Sequence, residues 1–175
     1  MIRGVAILSL LLAAAGSRGE KPPPAALPAA IALPEGYRPV ASFEAKGDQI
    51  YKAGKGKGGD PAWVLDAPKA VLFAEGKKAG THTAGPTWEA NDGSKLVRDK
   101  GVEVKSAPSG DPKANVPWLL LAVEGGGKKG ILSGVAYVHR LNTRGGVAPK
   151  EAPEGVEDRV SVPYTATYIF YAKKE

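Results

Sequence analysis

From residue 40 onward the chain alternates short apolar runs with glycine, proline and Asp-Gly signals, and this punctuation constrains the fold more than any other feature. No segment of useful length repeats apolar residues at the 3.6-residue spacing of an amphipathic helix. The 23 Gly and 15 Pro residues interrupt the chain too often for long helices. The pattern predicts an all-β fold with little helix, namely a single antiparallel β-sandwich or barrel-like domain of about eight or nine strands.

The individual strands can be placed between the turn signals. They are predicted over residues 40–51, 62–65, 70–74, 82–90, 94–97, 102–106, 116–124, 131–142 and 160–171. The segments 94–97 and 102–106 are either two strands or one bent strand. We expect 131–142 to pair with 116–124, because only a glycine-rich loop separates them.

The first 19 residues have the composition of an export signal. Arg3 supplies a positive charge, residues 5–12 an apolar run, and residues 13–16 the small side chains that signal peptidase accepts. The apolar run is shorter than the roughly 20 residues of a membrane-spanning helix. We therefore expect an exported protein, periplasmic or secreted, with a signal peptide over 1–19 and no stable membrane anchor after its removal.

The next segment, 20–39, is rich in proline and alanine, which favours an extended conformation over a helix or a strand ladder. It is predicted to be a tether or a strap on the domain surface. The all-β domain is then predicted to cover 40–175, which is enough chain for one ordinary core.

Composition argues against several functional classes. The absence of Cys excludes disulfides, thiolate metal sites and a cysteine nucleophile. The formal charge is +6, but the lysines are dispersed among loops rather than gathered on one face, so no nucleic-acid partner is expected. No histidine spacing typical of a metal site and no G-x-S-x-G nucleophile motif occurs.

Two glycine-rich segments, 54–59 and 125–130, match the dinucleotide pattern G-x-G-x-x-G. That motif requires a preceding strand and a following helix whose N-terminus receives the pyrophosphate. The second segment is followed by a strand sequence, and no βαβ unit is visible. We interpret both as loops and expect no cofactor.

The first candidate site lies in the segment 80–94, which gathers His82, Trp88, Glu89 and Asp92. If His82 and Glu89 approached each other across a bulge at Gly85, they could form an acid–base or ligand pair. The alternative is structural. Glu89 and Asp92 would then bind the turn backbone, His82 would be a strand histidine with its hydrogen bonds satisfied, and Trp88 would belong to the core.

The second candidate site lies on the strand 131–142 and the residues after it, with Arg140, Asn142 and Arg144. An inward-facing Arg140 would need a carboxylate partner, because a buried unpaired guanidinium is costly. Glu89 is the expected partner. Such a pair would be either a structural tie or one side of a pocket for an anionic ligand.

Five ordered motifs resemble the domain-of-unknown-function family numbered 3455. They are Asp48-Gln49-Ile50-Tyr51, GTHTAGPTWEANDGS, Val116-Pro117-Trp118-Leu119-Leu120-Leu121, YVHRLNTRGG, and Val162-Pro163-Tyr164 followed by Phe170-Tyr171, and together they span roughly 38–172. The resemblance implies an exported bacterial or fungal protein and supplies no activity. Some fungal members carry a malate dehydrogenase label, which this chain does not support because it lacks a dinucleotide-binding unit and begins with an export signal.

Three hypotheses about function follow. The leading one is a non-enzymatic, exported binding or surface-associated β domain that takes an unknown small molecule or surface polymer. The second is a hydrolase or isomerase that uses Glu89 and His82 as acid and base. The third is a purely structural or matrix-interacting protein. The candidate binding residues are His82, Trp88, Glu89, Asp92, Arg140, Asn142 and Arg144.

Overall fold

The computed structural model describes residues 27–175, so the predicted signal peptide and residues 20–26 lie outside the described part of the chain. A short 3-10 helix covers Ala29–Ile31. Nine strands follow it: β1 Tyr37–Lys55, β2 Pro61–Ala74, β3 Lys77–Thr83, β4 Thr87–Ala90, β5 Ser94–Arg98, β6 Lys105–Ala107, β7 Trp118–Gly127, β8 Val135–Gly145 and β9 Arg159–Lys173. None of the helices in residues 27–175 has the length and apolarity to cross a membrane.

All nine strands belong to one antiparallel sheet, in the order β5-β4-β3-β2-β1-β9-β8-β7-β6. Strand β5 also pairs with β7, so the sheet closes in a ring, and β6 pairs with β7 farther along the chain. The all-β prediction with eight or nine strands and little helix is confirmed. The expected pairing of β7 with β8 is also present, with Leu120 opposite His139.

Apart from shifted strand ends, the structure differs from the predicted strands at two places. Residues 62–65 and 70–74 form the single strand β2, which continues through Pro68. The register between β1 and β2 shifts by one residue between Ile50 and Tyr51, and this bulge leaves Asp66 as the extra residue of β2. Residues 82–90 form the two strands β3 and β4 instead of one. Gly85 has a φ of +103°, and this conformation, which few other residues adopt, reverses the chain.

The inside of the ring is filled by large apolar side chains. Strand β9 shows why, since Tyr164, Ala166, Tyr168 and Phe170 alternate with more exposed residues and all four are buried. From the other strands they meet Phe43, Leu72, Trp88, Leu96, Leu121 and Val138. Each large side chain of this kind contributes roughly 1.5–3 kcal/mol by leaving water.

A second, smaller apolar cluster lies on the outer face of β7 and β8, beneath the segment that precedes β1. Ile31 is fully buried there and packs with Leu120 and Leu141. The Nε2 of His139 donates to the carbonyl oxygen of Ile31 at 2.8 Å. Ile31 is therefore part of the packed domain, and β1 begins at Tyr37.

Candidate functional site

The ring encloses a cavity of about 180 Å³, hereafter the interior cavity. Three of the candidate residues line it, namely His82, Trp88 and Arg140. The full lining consists of Gln49, Leu65, Pro68, His82, Pro86, Trp88, Arg98, Val104, Leu119, Leu121, Arg140 and Tyr168. The two segments singled out in the sequence thus contribute to the same site.

Strand pairing places these side chains together. His82 on β3 lies directly opposite Trp88 on β4. Their rings stack with centroids 4.5 Å apart and planes inclined by only 12°. Arg140 on β8 lies between Leu119 on β7 and Tyr168 on β9 in the sheet register, so all three project to the same side.

Three buried N–H donors at the interior cavity form no hydrogen bond of good geometry in the described part of the chain. They are Nε2 of Gln49, Nε1 of Trp88 and Nε of Arg98. Gln49 and Trp88 are each only 1% exposed, so bulk water does not reach them readily. An unpaired buried donor costs about 1–3 kcal/mol, so an acceptor in this cavity, whether ordered water or a ligand, would stabilise the domain.

Two of the residues that line the interior cavity, Arg98 and Arg140, carry a positive charge. Arg140 is 8% exposed, and its Nε and Nη2 both donate to the carbonyl oxygen of Pro117, at 3.2 and 3.0 Å. Neither Arg140 nor Arg98 forms a salt bridge within residues 27–175. No Asp or Glu occurs among the residues that line the interior cavity. The cavity is therefore cationic and lined by hydrogen-bond donors.

His82 stays neutral in this environment. Burial, with a smaller contribution from the charge of Arg140, lowers the pKa of His82 to about 3, despite an opposing hydrogen bond to Thr87. Its Nδ1 lies 2.9 Å from the carbonyl oxygen of Thr87, which can only accept, so Nδ1 carries the proton. The other ring nitrogen, Nε2, is then a hydrogen-bond acceptor.

The tyrosines of the ring interior also stay neutral. Burial raises the pKa of Tyr168, and the Arg140 guanidinium offsets part of that effect. Burial likewise raises the pKa of Tyr164 well above its usual range. The hydroxyls of Tyr164 and Tyr168 lie 3.3 Å apart. No tyrosinate is therefore present to balance the charge of Arg140.

Glu89 lies on the outside of the ring, away from His82. It is opposite Thr81 in the register and forms an exposed salt bridge with Lys95 at 3.2 Å. The expected Glu89–Arg140 pair is wrong, because adjacent strand residues point to opposite faces and Trp88 is the one that points inward. For the same reason the structure does not bring Glu89 and His82 together as an acid–base pair.

Asp92, the fourth candidate in the segment 80–94, stabilises the turn before β5 through hydrogen bonds. Its Oδ1 accepts from the backbone N–H and the hydroxyl of Ser94, at 2.9 and 2.6 Å. Its Oδ2 accepts from the backbone N–H of Ile131 at 2.7 Å, which ties two loops together. These hydrogen bonds, led by that from the Ser94 side chain, lower the pKa of Asp92.

Asn142 and Arg144 lie on the exposed side of β8 and do not line the interior cavity. The pairing of β8 with β9 shifts between Leu141 and Arg144, and Asn142 adopts a φ of +51° there. Its Nδ2 faces the hydroxyl of Thr167 at 3.4 Å. Within residues 27–175, no group of three or more His, Cys, Asp or Glu side chains is arranged to hold a metal ion.

Sequence reasoning missed Gln49, Arg98 and Tyr168 as site residues. Tyr168 was already visible on the inward face of the last strand, and Gln49 lies in the first motif that resembles the family. Arg98 could have been found from strand alternation, because Ser94 and Leu96 are buried and Arg98 is the next residue on that face.

Comparisons with known proteins agree with the resemblance noted in the sequence. The family model described as "Protein of unknown function (DUF3455)" matches residues 34–172. A search of the curated proteins and a search of the solved structures each gave no significant match. The matched region covers β1 to β8, all of β9 except Lys173, and every residue that lines the interior cavity. The chain is a member of the DUF3455 family of proteins of unknown function.

Proposed function

We propose that this chain is an exported, non-enzymatic binding domain whose interior cavity holds a small anion. The observation that carries the proposal is the set of three unpaired buried donors, on Gln49, Trp88 and Arg98, that line one cavity beside Arg140. Export is proposed from the composition of residues 1–19.

Electrostatics favours an anion over a neutral ligand. Two guanidinium groups at a cavity without a carboxylate carry an uncompensated desolvation cost, which amounts to several kcal/mol for a fully buried ion. A bound anion would supply the missing countercharge and accept from the unpaired N–H groups. Hydrogen bonds to charged groups are the stronger ones, so both effects act in the same direction.

The lining also supports binding rather than catalysis. Among the residues at the interior cavity, the titratable side chains other than the two arginines are His82 and Tyr168. The pKa of His82 is lowered to about 3 and that of Tyr168 is raised, so neither changes its proton readily near neutral pH. The side chains are suited to holding a ligand in place.

The three tryptophans provide a direct test, because each gives one indole N–H signal in a nitrogen-15 NMR spectrum. The indole of Trp88 faces the interior cavity, whereas that of Trp63 already donates to the carbonyl oxygen of Glu151 at 2.8 Å. Sodium acetate and sodium phosphate are titrated separately against sodium chloride at constant ionic strength. We expect at least one of the two anions to shift the Trp88 signal saturably and leave Trp63 in place.

Two variants of β8 form a matched pair for this titration. Arg140→Met removes a charge from the interior cavity, and Arg144→Met removes an exposed charge from the same strand. The shift of the Trp88 signal should be lost in Arg140→Met and kept in Arg144→Met. A further cavity variant, Arg98→Met, should also lose it. No saturable shift with either anion, or an undiminished shift in both cavity variants, would overturn the proposal.

A further inference from the structure

Most of the buried residues that line the interior cavity are polar or amphipathic, and most of the partly exposed ones are apolar. Gln49, His82, Trp88 and Tyr168 are each at most 2% exposed. Leu65, by contrast, is 50% exposed. We call three of the apolar lining residues that reach the surface, Leu65, Pro86 and Val104, the mouth of the cavity.

The order of these groups determines how a ligand can sit. Its charged end must reach Arg140 and the unpaired donors of Gln49 and Trp88, all three of which are buried residues. The Nε atom of Arg98 is also buried, although the residue as a whole is partly exposed. The rest of it then lies between Leu119, Leu121 and the mouth, where the side chains offer no hydrogen bonds. A ligand with an apolar body leaves no polar group unsatisfied there and removes apolar surface from water.

The guanidinium groups restrict the chemistry of the charged end. Arg140 has its Nε and Nη2 bound to the carbonyl oxygen of Pro117, so only the end of the guanidinium that carries Nη1, beside Tyr168, could contact a ligand. Arg98 keeps its Nε unpaired, so its side edge is available. Two such N–H edges match the two oxygens of a carboxylate.

Volume limits the size of the ligand. The interior cavity measures about 180 Å³, and an apolar protein cavity of about 150 Å³ is enough to bind benzene. A single six-membered ring with a carboxylate is therefore near the upper limit. Inorganic phosphate would fill the polar end only and would leave the apolar mouth without a partner.

From this arrangement we propose that the ligand is a small amphipathic monocarboxylate, bound carboxylate-first at Arg98 and Arg140 with its apolar body at the mouth. The inference rests on the proposed anion-binding function and narrows it to one chemical class. It also assigns Trp88 as the indole donor to the carboxylate and Leu119 and Leu121 as contacts of the apolar body.

The test is a calorimetric titration of the wild-type mature protein with four probes: sodium benzoate, sodium acetate, sodium phosphate and benzamide. Benzoate adds an apolar ring to the carboxylate, so we expect it to bind about tenfold or more tightly than acetate. Phosphate should bind more weakly than benzoate because it lacks an apolar body. Benzamide, which has the ring without the charge, should also bind more weakly.

The outcomes separate this inference from the proposed function. Acetate or phosphate binding as tightly as benzoate would overturn the amphipathic class and leave anion binding intact. Benzamide binding as tightly as benzoate would show that the arginines do not select the charge, and would overturn both proposals. No binding of any of the three anions would also overturn both.

Discussion

His82 and Trp88 form a stacked pair across β3 and β4, with ring centroids 4.5 Å apart and an interplanar angle of 12°. The ring of Tyr168 packs against both of them, with its centroid 4.9 Å from that of His82 and 5.7 Å from that of Trp88. This packing holds the indole of Trp88 in place although its N–H has no acceptor in the described part of the chain. The unpaired donor is therefore a fixed feature of the site.

Replacing Arg98 by Met should stabilise the protein in the absence of a ligand. The change removes an uncompensated charge and an unpaired N–H from the interior cavity, and methionine keeps an unbranched apolar side chain there. We expect a gain of about 1 kcal/mol or more in the free energy of unfolding, measured by urea denaturation in a chloride buffer.

The matched control for Arg98→Met is Arg159→Met, because Arg159 pairs with Asp66 on the surface and lies away from the cavity. This control should change stability little. A clear loss of stability in Arg98→Met, with the control unchanged, would show that the guanidinium stabilises the empty domain and would argue against a ligand-binding role for it.

Lowering the pH below 6.5 should destabilise the domain through its histidines. Burial lowers the pKa of His82 to about 3 from an ordinary value of 6.5, and burial also lowers the pKa of His139. The unfolded chain therefore takes up protons that the folded chain does not. Stability is fully present above pH 6.5 and falls toward pH 3, by up to about 1.4 kcal/mol per pH unit for His82.

Denaturation at pH 7.5 and 5.0 checks this dependence above the range in which the carboxylates titrate. The wild type should lose stability between these two pH values, and His82→Gln should lose clearly less, because only His139 still contributes. The quantity to compare is the difference in the free energy of unfolding between pH 7.5 and pH 5.0. The value at a single pH is less useful, because the substitution also alters packing. Equal losses in the two proteins would contradict the assignment.

Asp92→Ala should lower the unfolding midpoint without changing anion binding. Asp92 accepts three hydrogen bonds and joins the turn before β5 to the backbone of Ile131. Glu89→Gln is the control from the same candidate segment, and it removes only an exposed salt bridge with Lys95. It should leave the midpoint nearly unchanged. A loss of binding in either variant would place that carboxylate in the site.

Ile31→Ala should destabilise the domain by about 2–5 kcal/mol, because it empties a fully buried position on the outer face of the sheet. The same substitution at Ile131, which is 49% exposed, should cost about 1 kcal/mol or less. Thermal and urea unfolding of both variants measure the difference. Similar small losses would mean that the segment before β1 is not a packed part of the domain.

Most of the fold could be predicted because strand periodicity is local. The alternation that buries Tyr164, Tyr168 and Phe170 is readable in the sequence of residues 164–170 alone. The β3–β4 hairpin was missed because its turn depends on Gly85 in a left-handed conformation, within a stretch whose polar residues also suit a strand. Ring closure was not readable, since it depends on β5 pairing with the glycines at the end of β7.

The site was predictable in part. His82, Trp88 and Arg140 were chosen for their chemistry, and the structure brings them to one cavity. The choice of Glu89 as partner to Arg140 failed because it followed charge rather than strand alternation, which turns Glu89 outward toward Lys95. Arg98 lies just after the segment 80–94, and strand alternation places it on the buried face of β5, but its position beside β7 depends on the long-range pairing of β5 with β7.

The most direct test of anion binding in the interior cavity is a crystal structure of the protein grown with 4-bromobenzoate, using anomalous scattering to locate the bromine. We expect carboxylate density within hydrogen-bond distance of Arg98, Arg140 and the Trp88 indole nitrogen, with the bromine at the mouth beside Leu65 and Val104. Bromine located elsewhere on the protein, with ordered water alone between the two arginines, would contradict this expectation.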